Sequence, residues 1–110
     1  MQDKIKTMLN FALRSRKYAL GESAISLARS KKIHVALLSS DASMATRKKY
    51  IDKMSYYQIP IFTYLTKKEL GNLLNKDEIS LIAIKDINMA KQVIKLIKEG
   101  DDYGKRLQEE

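Results

Sequence analysis

The sequence predicts an α/β fold, a three-layer α-β-α sandwich, on three observations. Stretches with apolar residues at helical spacing alternate with short, nearly unbroken apolar runs. Such runs mark strands buried on both faces, as in a sheet covered by helices on each side. The chain has 110 residues, 45% of them hydrophobic, which suits one domain with one core.

Each element follows from its residues. Ile5, Met8, Leu9, Ala12 and Leu13 recur at helical spacing, with Asp3 near the start of that helix. Tyr18-Ala19-Leu20 is a short extended stretch, and Gly21-Glu22-Ser23 opens a second helix with Ala24, Ile25 and Ala28 inward. Ile33 to Leu38 reads as a buried strand ending in Ser39-Ser40-Asp41. Ala42 to Tyr57 reads as a third helix with Ile51 and Met54 inward, and Ile59 to Tyr64 as the next strand, where Pro60 is tolerable at the beginning. Thr66-Lys67-Lys68-Glu69 has the form of a capping box and starts a short helix through Leu70, Leu73 and Leu74. After a polar turn, Ile79 to Ile84 is a strand. Asp86 can cap the last helix, whose buried stripe is Ala90, Val93, Ile94 and Ile97. Gly100 ends it, so residues 1–99 are expected to form the domain and residues 100–110 a fraying polar tail.

Composition removes several classes of function. There is no cysteine and a single histidine, His34, so thiolate and multi-histidine metal sites are excluded. His34 sits near a strand start and reads as a surface or strand-edge side chain. No GxGxxG, P-loop or GxSxG motif occurs. The N-terminus lacks an apolar signal core and no apolar stretch approaches ~20 residues, so a cytoplasmic protein without membrane contact is expected. Asp41 and Asp86 each follow a strand; they could approach each other and hold a divalent metal, or each could cap a helix.

The charge points elsewhere. The net charge is +8, and residues 1–53 carry all of it, with twelve basic and four acidic side chains against nine of each in residues 54–110. A one-sided basic surface attracts polyanions. Arg14, Arg16 and Lys17 precede the helix start at Gly21, where free backbone amides accept phosphate. Glu22 could accept hydrogen bonds from a guanine edge or favour the helix dipole, and Tyr18 could stack on a base. Tyr50, Tyr56 and Tyr57 read as partly core, and no aromatic ladder suits an extended strand. A folded RNA shape is therefore the expected ligand.

Several blocks resemble the ribosomal seven-Ae/thirty-e family of kink-turn RNA-binding proteins, most of all its small homologues in Gram-positive bacteria. Arg14 to Glu22 resembles the family's R-x-G-K-x-x-x-G segment, with Arg16 in place of the glycine. Val35 to Leu38 with Ser40 to Ser43 and Thr46 to Lys49 resembles the next block, Tyr56 to Ile61 the Y-x-x-x-P piece, and Thr66 to Gly71 the K-x-x-L-G helix. The resemblance implies a four-stranded mixed sheet and non-catalytic binding to RNA kink-turns. It places base readout at Gly21, Glu22 and Ser23, and a covering loop at Asn75 to Ile79, including Lys76. Where the strongest binders carry Asn, Glu and Lys, this chain has Ser23, Ala24 and Leu27.

The expected function is binding of a structured RNA, a ribosomal RNA or a messenger or riboswitch kink-turn, with the ribosome as a possible setting. The protein is expected to act as a monomer without a cofactor. Arg14, Arg16, Lys17 and Lys31 or Lys32 would contact phosphates. A protein-interaction module on the same scaffold is the alternative.

Overall fold

The computed structural model describes residues 4–99 and 105–106. Asp3, Gly100 and all of the tail except Lys105 and Arg106 lie outside the described residues. Helices and strands alternate: α1 (Lys4–Arg14), β1 (Tyr18–Leu20), α2 (Gly21–Arg29), β2 (Val35–Leu38), α3 (Met44–Tyr56), β3 (Ile61–Thr63), α4 (Lys67–Leu73), β4 (Leu81–Ile84), α5 (Ile87–Glu99) and β5 (Lys105–Arg106).

The sheet order is β1-β4-β2-β3-β5. β2 and β3 are parallel, and β4 runs antiparallel to both β1 and β2. The four expected strands form a mixed sheet, and the two residues of β5 extend it along β3. β1 is an edge strand. β1, β2 and β3 share one direction, so all three end at one edge of the sheet, here called the carboxyl edge, and begin at the opposite amino edge.

Alternation along the strands sorts the two faces. Val35, Leu37, Phe62, Ile82 and Ile84 face a core shared with Ile5 and Leu9 of α1, Leu70 of α4 and Val93 of α5. Ala19, Ala36 and Ala83 face the other core, with Ala24 and Ala28 of α2 and Tyr50 and Met54 of α3. Small residues on that second face let α2 and α3 lie close to the sheet. The three layers follow from this two-sided burial.

The strands are shorter than the apolar runs that predict them. Ile33, Ile59 and Ile79 each lie two residues ahead of a strand and are buried without being part of it. They fold the preceding turn onto the core. An apolar run alone cannot distinguish such an anchor from a ladder residue.

Helix ends are regular. At the ends of α1, α2, α3 and α4 the backbone turns left-handed at Arg16, Lys31, Gln58 and Asn75, with φ of 58°, 60°, 62° and 58°. The N–H of Lys17 bonds the Ala12 carbonyl and that of Arg16 the Leu13 carbonyl. The pairs after α2, α3 and α4 repeat this pattern. This is the Schellman turn, whose left-handed position normally holds glycine. In this chain none of the four is glycine.

Candidate functional site

At the carboxyl edge three helices begin. Ser43 caps α3 by accepting from the Thr46 N–H. Thr66 and Glu69 form a complete capping box on α4, with bonds of 3.2 and 2.9 Å. Asp41 adds a bond from the Lys67 N–H at 2.8 Å. α2 differs: its N-cap residue is Leu20, and no side chain caps it. At the opposite edge Asp86 caps α5 through the Met89 N–H at 2.9 Å. α2 is thus the one helix from α2 to α5 whose first amides have no side-chain cap.

Gly21 makes this start possible. Its φ of 52° turns the chain sharply from β1 into α2, a conformation a β-carbon penalises. A β-carbon there would lie 3.5 Å from the Tyr50 hydroxyl, so α3 packs directly beneath the turn. Tyr50 is buried, and that burial pushes its phenol pKa up. The neighbouring Lys49 forms an ion pair with Glu22 and lies 5.5 Å from the centre of the Tyr50 ring. Glu22 is therefore already engaged by a cation that the sequence reading did not place in the site.

A groove runs along the free side of β1. Tyr18, Ala19 and Leu20 form its floor, Ser23 and Leu27 of α2 one wall, and Arg16 and Lys85 its end at the amino edge. Ser23 is exposed here, whereas Ala24 is buried in the α2 core face. Leu27, where the resemblance expects a lysine, gives the groove an apolar wall. The β1–β4 register, with Leu20 opposite Ile82, brings the start of β4 and the loop before it beside the first turn of α2.

That loop is held from below. Ile79 is buried, and its N–H bonds the Lys67 carbonyl at 3.0 Å. Its side chain anchors the loop and is not available to a base, which corrects its expected contact role. Lys76 stays exposed at the loop tip. A β-carbon at Gly71 would come within 2.7 Å of the Lys76 and Asp77 carbonyls, so the loop lies directly on that glycine.

The expected cations do not converge on Gly21. Lys17 and Gly21 bracket β1, roughly 13 Å apart along an extended strand, so Arg14, Arg16 and Lys17 belong to the amino edge. Only the long groove links Arg16 to Ser23. Lys17 pairs with Asp86 at 3.4 Å. Lys31 donates to the Tyr57 carbonyl and Arg29 to the Tyr57 hydroxyl, both at the end of α3. Lys32 is exposed at the same edge, and half-buried His34 donates its backbone N–H to the Ile84 carbonyl. Lys85, at the end of β4, completes the edge and was not foreseen. Tyr56 is 78% exposed, against expectation.

The paired-carboxylate idea fails on topology. β2 and β4 are antiparallel, with Val35 opposite Ile84 and Leu38 opposite Leu81. Asp41 and Asp86 therefore stand at opposite edges and cannot share an ion. Asp86 caps its own helix, as one reading allowed; Asp41 caps α4 instead of the helix that follows it. The Met89 N–H, joined by Lys17, holds the Asp86 carboxyl below its usual range.

Residues 3–94 match the Ribosomal protein L7Ae/L30e/S12e/Gadd45 family. A protein named RNA-binding protein YlxQ from Enterococcus faecium is 31% identical over 98 residues, 88% of this chain and 94% of that protein. Its namesake from Bacillus subtilis (strain 168) is 33% identical over 91 residues, 82% of this chain and 91% of that protein. Among solved structures, a protein of unknown function from Bacillus halodurans C matches with a TM-score of 0.81 at 31% identity, over 88% of this chain and 99% of that one.

Proposed function

The chain belongs to the L7Ae/L30e/S12e/Gadd45 family, and from that premise we propose that it is a non-catalytic RNA-binding protein that docks a bent RNA segment at the start of α2. The observation that carries this reading is the uncapped first turn of α2 at Gly21, beside the β1 groove. Free amides at a helix start bind anions, and the dipole adds to their attraction. The names of the two relatives agree with an RNA ligand. The finer reading is a kink-turn, bound by a monomer in the cytoplasm, with a ribosomal or messenger RNA as its source.

Each group then has a task. The amides of Glu22 and Ser23 meet a phosphate or a base edge, and the Ser23 hydroxyl supplies a further hydrogen bond. Leu20 and Leu27 give an unstacked base an apolar surface in the groove. Lys49, held by Glu22, places a cation at the same turn. Lys76 reaches over from the loop.

Ser23→Glu tests the reading without endangering the fold. A carboxylate in the first turn suits the helix dipole, so stability should hold or rise slightly. Affinity for a kink-turn RNA, measured by filter binding, should fall at least about tenfold because a phosphate would now meet a like charge. Unchanged affinity would remove the α2 start from the interface. An RNA of the same length without the bend serves as the control for kink-turn preference.

A further inference from the structure

We propose that the amino edge of the sheet is a second RNA-binding surface, one that grips the phosphate backbone of a duplex flanking the bent segment. The inference rests on the RNA reading above but concerns the opposite end of the molecule.

Topology separates the charges. Arg14, Arg16 and Lys17 close α1; Arg29, Lys31 and Lys32 close α2; Lys85 ends β4. All seven are exposed at the amino edge. Among the described residues, the acids fall elsewhere: Glu22 and Glu69 in first turns, Asp41, Asp77 and Glu78 in carboxyl-edge loops, Glu99 at the far end of α5, and Asp52 within α3. Asp86 alone stands at the amino edge, paired with Lys17.

Compensation of helix dipoles cannot absorb this charge. Three helices, α1, α2 and α3, end at this edge, and each end carries about half a negative charge, roughly −1.5 together. With Asp86 the total reaches about −2.5, against seven cations. Lys31 and Arg29 are occupied by Tyr57. Arg16, Lys32 and Lys85 make no ion pair among the described residues.

The arrangement suits a backbone and not a base. The register aligns Lys17 with Lys85, and His34 beside Lys85, across neighbouring strand ends, a row roughly 10 Å wide with Arg16 and Lys32 next to it in the chain. Point charges on strand ends and turns fix phosphates but read no sequence. A-form duplex is recognised in that way, through its backbone and shape. The β1 groove supplies the path, since it carries Ser23 toward one end and Arg16 with Lys85 at the other.

The triple variant Arg16→Gly, Lys32→Ala, Lys85→Ala tests the proposal. Arg16 occupies a position glycine prefers, so this variant should keep or slightly raise the native Tm, read by thermal melting. Three probes are compared: a kink-turn RNA with short arms, the same RNA with long arms, and a plain duplex. The native protein should bind the long-armed RNA more tightly than the short-armed one. The triple variant should lose that advantage and show a salt slope shallower by about two to three. An arm-length advantage that survives in the variant overturns the proposal, as does a native protein indifferent to arm length and to duplex. Duplex binding lost in the variant, with no preference for the bend, supports this surface while refuting the site at α2.

Discussion

At the carboxyl edge α2, α3 and α4 begin, and at the amino edge α1, α2 and α3 end. The two edges solve that problem differently. Side chains close the helix starts one by one: Ser43 on α3, and Thr66 with Glu69 and Asp41 on α4. The start of α2 is left open. Left-handed turns close the helix ends, with cations at two of them, Arg16 and Lys31. One edge therefore offers a small set of directed donors, and the other a broad field of charge. Directed donors can discriminate among ligands; a field of charge mainly attracts and holds them.

The largest effect is expected at Gly71. In Gly71→Ala the new methyl meets two backbone carbonyls at 2.7 Å, and backbone yields little. Urea unfolding should show a loss of about 1–3 kcal/mol. RNA affinity should fall with it, because the Asn75 to Ile79 loop is displaced. A variant of native stability would show that the loop moves freely, and the carboxyl edge would be less ordered than described.

Lys49→Ala acts at the same edge, on binding and not on the fold. Removing a cation from the α2 start should weaken RNA binding about threefold to tenfold and lower the salt slope by about one. Lys48→Ala, which breaks only the exposed pair with Asp52, should change neither quantity by as much. Equal effects from the two would mean that Lys49 acts by net charge alone.

Asp86 gives the amino edge a pH signature. Its folded-state pKa is depressed, chiefly by the Met89 N–H and then by Lys17. Its contribution is therefore complete above the unfolded carboxyl pKa of about 3.9. It is lost as pH falls through the lower folded value. Asp86→Asn should be less stable than the native protein at neutral pH, with the difference vanishing on acidification below the usual carboxylate range. A difference that grows toward low pH would contradict this sign.

The smallest effect belongs to Arg16→Gly. Relief of the left-handed arginine should raise stability by about 0.5–1 kcal/mol, partly offset by glycine's entropy. A clear loss of stability in urea would show that the arginine side chain supports the turn in some other way.

Much of this was legible in the sequence. Helical spacing in α1 and α5, the capping box at Thr66, and the apolar runs of β2 and β4 each name their element because local chemistry dictates them. The helix start at Gly21 was legible for the same reason, as a strand, a glycine and a polar turn in succession. The meeting of Arg14, Arg16 and Lys17 with that start was not. Four residues of extended chain separate neighbours in sequence by the length of the sheet. Lys49 and Lys85 were hidden for the complementary reason. They reach their edges only through the packing of α3 beneath Gly21 and the antiparallel entry of β4, and no local pattern carries that information. Ile79 reads as the first residue of a strand, and only its burial two residues ahead of β4 makes it an anchor of the loop.

The uncapped turn can be observed directly. Backbone amide resonances of 15N-labelled protein, followed during titration with a kink-turn RNA, report on each N–H separately. Glu22 and Ser23 should shift most and gain protection from hydrogen exchange, while the amides of Thr46 and Glu69, already capped by side chains, hold still. Saturable binding that leaves the Glu22 and Ser23 amides unmoved would contradict it.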